Sequence, residues 1–172
     1  MKIFLIGFMG SGKTIIGRHL AEQTGFDFVD TDRFIEMEQG ITVSEIFARH
    51  GEAVFRKLEH DLLLKMQNIE FAVVSTGGGM PCYGNNMDIM RSGGTVTYLK
   101  ASPQELTRRL LCSYQERPLI KGKTEDELYQ YVVEKLNERE PFYNRAHITV
   151  QTENFSMEEL IQALNLIKKD GR

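Results

Sequence analysis

Cysteine is scarce in this chain of 172 residues, which contains only Cys82 and Cys112. The separation of these two residues matches no metal-binding pattern, and the four histidines are scattered without the spacing of metal ligands. The sequence therefore gives no support for a metal centre built from cysteine or histidine. We expect two free thiols in a reducing compartment, and hence a cytoplasmic protein.

Long apolar runs and strong net charge are also missing. The apolar stretch within MKIFLIGFMGSGKT is too short to span a membrane and lacks a signal-peptide cleavage pattern. The net charge of −3 argues against broad nucleic-acid binding, although it is compatible with a local basic pocket. Because no repeat, low-complexity stretch or linker interrupts the chain, we expect one domain over residues 1–172, with no membrane or nucleic-acid partner.

Short apolar runs alternate with longer amphipathic stretches along the chain. The pattern predicts strands over residues 2–8, 27–30, 71–75, 95–99 and 147–151. It predicts helices over residues 13–24, 31–39, 42–68, 87–91, 125–140 and 156–168, and one that begins at Ser102 and Pro103. The 42–68 helix is expected to break near Gly51, and the 125–140 helix to end before Pro141. This alternation favours an α/β fold with a parallel sheet between helices and a ligand site at the carboxyl ends of the strands.

A phosphate-binding motif follows the first predicted strand. GFMGSGKT, residues 7–14, fits G-x-x-x-x-G-K-[ST], with a strand before it and a helix after it. In such a loop backbone N–H groups surround phosphate oxygens, Lys13 reaches the β- and γ-phosphates, and the Thr14 hydroxyl ligates Mg²⁺. The alternative is a glycine-rich turn that binds nothing, but the motif and its context both favour a nucleoside triphosphate.

Two aspartates, Asp30 and Asp32, stand where the second predicted strand meets its helix. Carboxylates this close can divide the work, one near Mg²⁺ and the other accepting a hydroxyl proton or hydrogen bond. Alternatively, Asp30 or Thr31 simply caps the helix. The spacing alone does not decide which aspartate has which role.

Arginine recurs in three suggestive places. Arg56 lies among apolar residues in AVFRKLE, and Glu59 is placed to pair with it and hold it towards a substrate carboxylate. From this segment alone the alternative, a common surface ion pair on an amphipathic helix, is favoured. Arg139 precedes Pro141, and Arg117 lies in a polar loop over residues 113–124. A loop arginine suits a lid that closes over a polyphosphate; a solvated loop is the alternative.

Three consecutive glycines, Gly77, Gly78 and Gly79, follow the third predicted strand in AVVSTGGGMP. One glycine is enough for a turn, so two more need another explanation. At the carboxyl end of this strand a side chain would occupy the space of an acceptor substrate. We therefore expect bare backbone N–H groups to contact the acceptor here.

The motifs GFMGSGKT, DTD, FRKLE, TGGG, ERPLI and REPFY, in this order, resemble those of shikimate kinase. The resemblance implies a three-layer P-loop kinase fold with a five-stranded parallel sheet flanked by helices. It also implies a helical substrate-binding segment over residues 32–61 and a lid over residues 112–124. The implied reaction is Mg²⁺-dependent transfer of the γ-phosphoryl group of ATP to the 3-hydroxyl of shikimate. The partners are then ATP and shikimate, and a monomer is expected.

The resemblance also implies a set of site residues. The catalytic residues are Lys13, Asp32 and Arg117; the ATP-binding residues are Gly10, Ser11, Gly12, Lys13, Thr14, Ile15, Arg109 and Arg117; the substrate-binding residues are Asp32, Arg56, Gly77, Gly78, Gly79 and Arg139; the metal-binding residues are Thr14 and Asp30. Arg109 is preferred to Arg108 as the adenine contact. Two alternatives are another P-loop small-molecule kinase, such as a gluconate or nucleoside-monophosphate kinase, and a nucleotide-binding switch without kinase activity.

Overall fold

The computed structural model describes residues 1–113, 120 and 122–165. Its strands are β1 (Lys2–Ile6), β2 (Asp27–Asp30), β3 (Ala72–Ser75), β4 (Thr95–Lys100) and β5 (Ile148–Gln151). Its helices are α1 (Lys13–Thr24), α2 (Thr31–Gln39), α3 (Val43–Lys65), α4 (Asn86–Gly93), α5 (Pro103–Leu111), α6 (Glu125–Tyr143) and α7 (Met157–Ala163). Two short 3₁₀ helices lie after α3, at Met66–Asn68, and between β3 and α4, at Met80–Cys82. Most of the central part of the predicted lid, Arg117 included, lies outside the described residues.

The five strands form one sheet in the order β2-β3-β1-β4-β5, and every neighbouring pair is parallel. The predicted five-stranded parallel sheet is confirmed. The register places Ser75 of β3 opposite Leu5 of β1 on one side and opposite Asp30 of β2 on the other. The loop after β3 therefore begins between the phosphate-binding loop and the aspartates that follow β2.

Both faces of the sheet are covered. In β1, Phe4 and Ile6 belong to one buried cluster, whereas Ile3 and Leu5 belong to another that also contains Leu20 of α1. A strand that buries alternate side chains on both faces is the expected pattern of a parallel sheet between two helical layers. Among the described helices none combines the length and the apolar character that crossing a membrane requires.

Side-chain caps fix where several helices begin. Thr42 and Glu45 form a capping box at α3, and Thr124 and Glu127 form another at α6. The Asp30 carboxylate caps α2 by accepting a hydrogen bond from the backbone N–H of Arg33, at 3.3 Å. The first turn of α2 therefore starts directly at the carboxyl end of β2.

Two helices test the predicted breaks. The break in α3 is confirmed, since Gly51 has φ 80° and ψ 170° inside the helix, a conformation that strongly favours glycine. The predicted end of α6 before Pro141 is wrong, because α6 continues to Tyr143. Pro141 removes one backbone donor from the helix, yet beyond it the N–H of Asn144 still donates to the carbonyl of Glu140 at 2.8 Å. The extra turn carries Tyr143 into the core.

Candidate active site

The loop between β1 and α1 has the backbone geometry of an anion cradle. Gly10 and Gly12 adopt left-handed conformations, with φ of 82° and 94°. The loop leads directly into the N-terminus of α1, where the helix dipole favours negative charge. Ser11 is fully buried at the centre of the loop, whereas the side chain of Ile15 in the first turn of α1 is largely exposed. Only the backbone of Ile15 is therefore suited to a phosphate contact.

The ammonium group of Lys13 lies against this loop. Its Nζ donates to the carbonyl oxygens of Gly7 and Phe8, at 2.8 and 2.9 Å. A cation is thereby held at the mouth of the cradle, where it adds to the positive potential of the α1 terminus. The arrangement fits a polyphosphate ligand.

Thr14 and Asp30 meet at the next position along the site. The hydroxyl of Thr14 donates to Oδ2 of Asp30 at 2.8 Å, while Oδ1 of the same carboxylate caps α2. The Asp30 carboxylate thus caps α2 and contacts Thr14 at the same time. The paired oxygens fit Mg²⁺, which prefers hard oxygen ligands and is usually held by one or two carboxylates together with substrate phosphates. The described residues contain no cluster of three or more His, Cys, Asp or Glu suited to a metal, so the phosphates would complete this site.

Asp32, in the first turn of α2, points one carboxylate oxygen into the protein. Its Oδ1 atom is buried and has no hydrogen-bond partner among the described residues. Burial, reinforced by the neighbouring charge of Asp30, raises the pKa of Asp32 to about 6, although Lys13 and Arg56 oppose the shift. Asp32 is therefore an acceptor that is ionised at neutral pH and has an unused oxygen.

Arg56 is clamped on α3 beyond the Gly51 break. Its Nη1 lies 2.6 Å from Oε2 of Glu59, and its Nε and Nη2 donate to Oε1 of Glu52 at 3.1 and 2.8 Å. The side chain of Glu59 is 0% exposed and that of Arg56 is 12% exposed, which excludes the alternative of an exposed surface pair. Burial raises the pKa of Glu59 to about 7, against the lowering effect of Arg56. The guanidinium is thus held rigidly, as bidentate binding of a carboxylate requires.

Arg139 approaches the same region from α6. Its Cζ lies 5.4 Å from the centre of the Phe8 ring, and a Cβ placed on Gly78 would lie 3.3 Å from its Nη1. A Cβ placed on Gly79 in the same way would lie against the guanidinium of Arg56. Two guanidinium groups therefore flank successive glycines of the loop after β3.

The backbone of Gly77 is fully used within the protein. Its N–H donates to the hydroxyl of the buried Thr31 at 2.9 Å, and its carbonyl accepts from the N–H of Met80 at 3.1 Å. Sequence reasoning named Thr31 only as a possible helix cap and missed this contact. The predicted contact of Gly77 with substrate therefore has no free backbone donor to support it.

Gly78 and Gly79 differ from Gly77. Their carbonyls accept from the Tyr143 hydroxyl at 2.5 Å and from the N–H of Cys82 at 3.0 Å. Within the part of the chain that the structure describes, their N–H groups have no acceptor. These two donors lie between Arg56 and Arg139, where an acceptor carboxylate or hydroxyl could use them.

Tyr143 is a site residue that the sequence interpretation missed. It is fully buried, its ring lies 5.0 Å from that of Tyr98, and burial raises the pKa of its hydroxyl, which therefore stays protonated. The available signal was its position four residues after Arg139, which places both on one face of a helix. Because the helix was predicted to end before Pro141, Tyr143 was not placed on the same helix face as Arg139.

The two candidate adenine arginines occupy different environments. Arg109 donates from Nη1 to the Thr152 hydroxyl at 3.0 Å, from Nη2 to the Thr152 carbonyl at 3.2 Å, and from Nη1 to the carbonyl of Gly10 at 3.4 Å. Both arginines pair with Glu105, but the side chain of Arg108 is 65% exposed and that of Arg109 25%. Only Arg109 links the phosphate loop to the segment after β5, which favours it as the contact for the base.

Comparison with known proteins decides the family. The model of the family described as shikimate kinase matches residues 9–167. The chain belongs to the shikimate kinase family. It is 42% identical over 157 residues to a shikimate kinase of Parabacteroides distasonis, an alignment that covers 91% of each chain.

Solved structures of the family agree. The fold matches a shikimate kinase of Bacteroides thetaiotaomicron with a TM-score of 0.92, 36% identity, and 96% and 98% of the two chains covered. It also matches an Acinetobacter baumannii shikimate kinase in complex with shikimate, with a TM-score of 0.83, 33% identity, and 99% and 95% covered. The predicted family, the P-loop kinase fold and the assignment to a phosphotransferase enzyme are confirmed.

Proposed function

We propose that this kinase transfers the γ-phosphoryl group of ATP to the 3-hydroxyl of shikimate, giving shikimate 3-phosphate and ADP in the chorismate pathway. The observation that carries the proposal is the arrangement at the carboxyl end of β3. There, Arg56 and Arg139 flank a glycine loop, and the unpaired Oδ1 of Asp32 faces the same loop. A small carboxylate with several hydroxyls needs this combination of fixed cations and hydrogen-bond acceptors.

On the acceptor side, Arg56 and Arg139 bind the substrate carboxylate, and the N–H groups of Gly78 and Gly79 add backbone hydrogen bonds. Asp32 accepts from the ring hydroxyls. At neutral pH its carboxylate is mostly ionised, since its pKa is about 6, so it can hold the 3-hydroxyl and take its proton as phosphoryl transfer proceeds. Gly77 contributes through its position beside Asp32.

On the donor side, the loop residues Gly10, Ser11 and Gly12 surround the phosphates with the N-terminus of α1. Lys13 stabilises the charge that develops on the transferred group, and Arg109 contacts the adenine. Arg117, outside the described residues, is proposed to approach the γ-phosphoryl group when a lid over residues 112–124 closes. Such closure would exclude water and limit hydrolysis of ATP.

A single Mg²⁺ is proposed to bind with ATP, held by the Thr14 hydroxyl and by Asp30, in part through water. Bound there, the ion would neutralise phosphate charge and orient the polyphosphate. Thr14 and Asp30 are already in contact at 2.8 Å, so the oxygens that would face the ion are brought together by the fold itself.

We further propose a cytoplasmic monomer of one domain over residues 1–172, with its substrate-binding segment over residues 32–61. Two free cysteines suit a reducing compartment. The net charge of −3 gives no electrostatic basis for a nucleic-acid partner.

The test is a coupled assay of ADP formation from ATP and Mg²⁺, with shikimate, gluconate, AMP or no acceptor. Rapid ADP formation with shikimate alone supports the proposal. Turnover only with gluconate or AMP would assign another P-loop kinase. Isothermal titration covers the remaining alternative, since a switch without kinase activity would bind ATP and not shikimate.

A further inference from the structure

The three consecutive glycines are not required by the backbone. Gly77, Gly78 and Gly79 are absent from the residues with positive φ, and Gly79 has φ −92°, which any residue adopts. The N–H of Gly77 is already used by Thr31. Neither turn geometry nor backbone hydrogen bonding to a substrate therefore explains why position 77 has no side chain.

The surroundings of Gly77 give a different reason. A Cβ at this position would overlap Oε1 of Glu59 and lie 2.8 Å from Oδ1 of Asp32. Favourable nonbonded contacts of carbon lie at ~3.5–4.0 Å, so neither oxygen could stay where it is. These two atoms are also buried oxygens without a hydrogen-bond partner among the described residues. Two unpaired carboxylate oxygens thus converge on the one position in the loop whose backbone is fully used.

At Gly79 an added Cβ would likewise overlap a charged side chain, here the cation of Arg56. A Cβ there would overlap Cζ and Nη2 of Arg56 and lie 2.6 Å from Nη1. At Gly78 the nearest atoms, Nη1 of Arg139 and the carbonyl oxygen of Gly7, would lie at 3.3 Å, which is tight without overlap. The clashes at positions 77 and 79 are therefore with the protein's own charged side chains.

We propose that Gly77 and Gly79 are positioning residues of the acceptor site, which act by leaving the space that Asp32, Glu59 and the Arg56 guanidinium occupy. The inference rests on the proposed function in that Arg56 and Asp32 bind the acceptor. It differs from the simpler view that the glycines make room for the substrate itself. Under that view a methyl group at position 79 would harm binding whether or not Arg56 is present.

A double-mutant cycle separates the two views. Gly79→Ala is expected to lower kcat/KM for shikimate by roughly tenfold or more while changing the KM for ATP by less than about twofold. In an Arg56→Ala background the same methyl group meets no guanidinium, and its further effect should stay within about twofold. An equal loss in both backgrounds would mean that the methyl group blocks the substrate directly, which overturns the proposal.

A second cycle uses denaturant unfolding without ligands. It compares the wild type, Gly79→Ala, Arg56→Ala and the double variant. Gly79→Ala should lower the denaturant midpoint of unfolding in the wild-type background but not in the Arg56→Ala background. Equal shifts in both backgrounds would overturn the proposal. If Gly79→Ala does not fold, recovery of folding in the double variant supports the proposal, and failure of the double variant while Arg56→Ala alone folds overturns it. Because no substrate is used, this cycle remains decisive even if the wild-type protein does not phosphorylate shikimate.

Gly93→Ala is the matched control. Gly93 ends α4, is exposed, and its added Cβ would meet only Cε of Lys2, at 3.9 Å. Lys2 begins β1, at the opposite end of the sheet from the site. This variant should keep both KM values and the unfolding midpoint close to those of the wild type.

Discussion

Arg56 and Glu59 form an ion pair in which Nη1 of a nearly buried guanidinium lies 2.6 Å from Oε2 of a fully buried carboxylate. A second carboxylate, Glu52, holds the other side of the guanidinium at 2.8 Å. The arginine is thus fixed from two directions while its remaining surface faces the glycine loop. The pair presents a cation whose orientation is set before any ligand arrives.

Arg56→Ala should therefore affect the acceptor much more than the nucleotide. We expect kcat/KM for shikimate to fall by ~10²-fold or more, as removal of one charged partner at a desolvated contact typically does, while the KM for ATP changes little. Steady-state kinetics with each substrate varied in turn measures both. Arg108→Ala, which removes an exposed arginine on α5, is the control and should leave both constants unchanged. Equal losses for the two substrates would assign Arg56 a purely structural role.

Lys13→Ala should reduce phosphoryl transfer by ~10²–10³-fold, because it removes the cation held at the mouth of the phosphate loop. The rate is measured as kcat at saturating ATP and shikimate. Lys135→Ala removes a lysine paired with Glu138 on the surface of α6 and serves as control. Turnover close to normal in Lys13→Ala would contradict the assignment of the loop.

Tyr143→Phe should raise the KM for shikimate several-fold. The variant leaves the Gly78 carbonyl without its donor, so the loop loses the bond that fixes it beside Arg139. The free energy of unfolding should fall by ~1–3 kcal/mol, the cost of an unsatisfied buried group. Tyr129→Phe removes an exposed hydroxyl that contacts Gln104 and is the matched control. A loss of stability with an unchanged KM would limit Tyr143 to a core role.

The pH dependence of kcat/KM for shikimate should show an acid limb near pH 6, where Asp32 takes up a proton in the enzyme that has not yet bound shikimate. Below this pH the protonated carboxyl group can no longer take the proton of the substrate hydroxyl, and it is a weaker hydrogen-bond acceptor. The profile is measured at saturating ATP from pH 5 to 9. An activity that stays flat down to pH 5 would show that ionised Asp32 is not needed.

The same carboxyl group should make stability depend on pH in a defined direction. Its pKa is raised in the folded protein, so the folded state binds the proton more tightly than the unfolded chain does, and stability falls as pH rises from about 4 to about 6. Asp32→Asn should therefore be more stable than the wild type by ~1–3 kcal/mol at pH 8 and of similar stability at pH 4. Chemical denaturation at both values measures this. An Asp32→Asn difference that is constant with pH would contradict the prediction.

Local signals in the sequence predicted much of this architecture. The strands were predicted from short apolar runs, and the phosphate loop from a motif whose fixed positions each have a chemical role. The order of short motifs indicated the family. The preference for Arg109 over Arg108 now has geometric support, because only Arg109 reaches Gly10 and Thr152.

The contacts that complete the site could not be predicted from local sequence patterns. The bond from Tyr143 to Gly78 joins residues 65 positions apart, and that from Gly77 to Thr31 joins residues 46 apart. Periodicity reports which face of an element is apolar, not which distant side chain meets it. The rule that proline ends a helix also gave a wrong end at Pro141, since α6 continues to Tyr143 and the N–H of Asn144 still donates to Glu140.

The order of the strands has a consequence for the geometry of transfer. Asp32 follows β2, the glycines follow β3, the phosphate loop follows β1 and Thr152 follows β5, so acceptor, donor and base lie side by side across the sheet. Adjacent strands are separated by ~4.8 Å, a spacing set by backbone hydrogen bonds. The strand spacing of the sheet therefore sets the distance between the reacting groups. Loops can change in length without altering that distance, whereas the insertion of a strand between β1 and β3 would separate donor from acceptor.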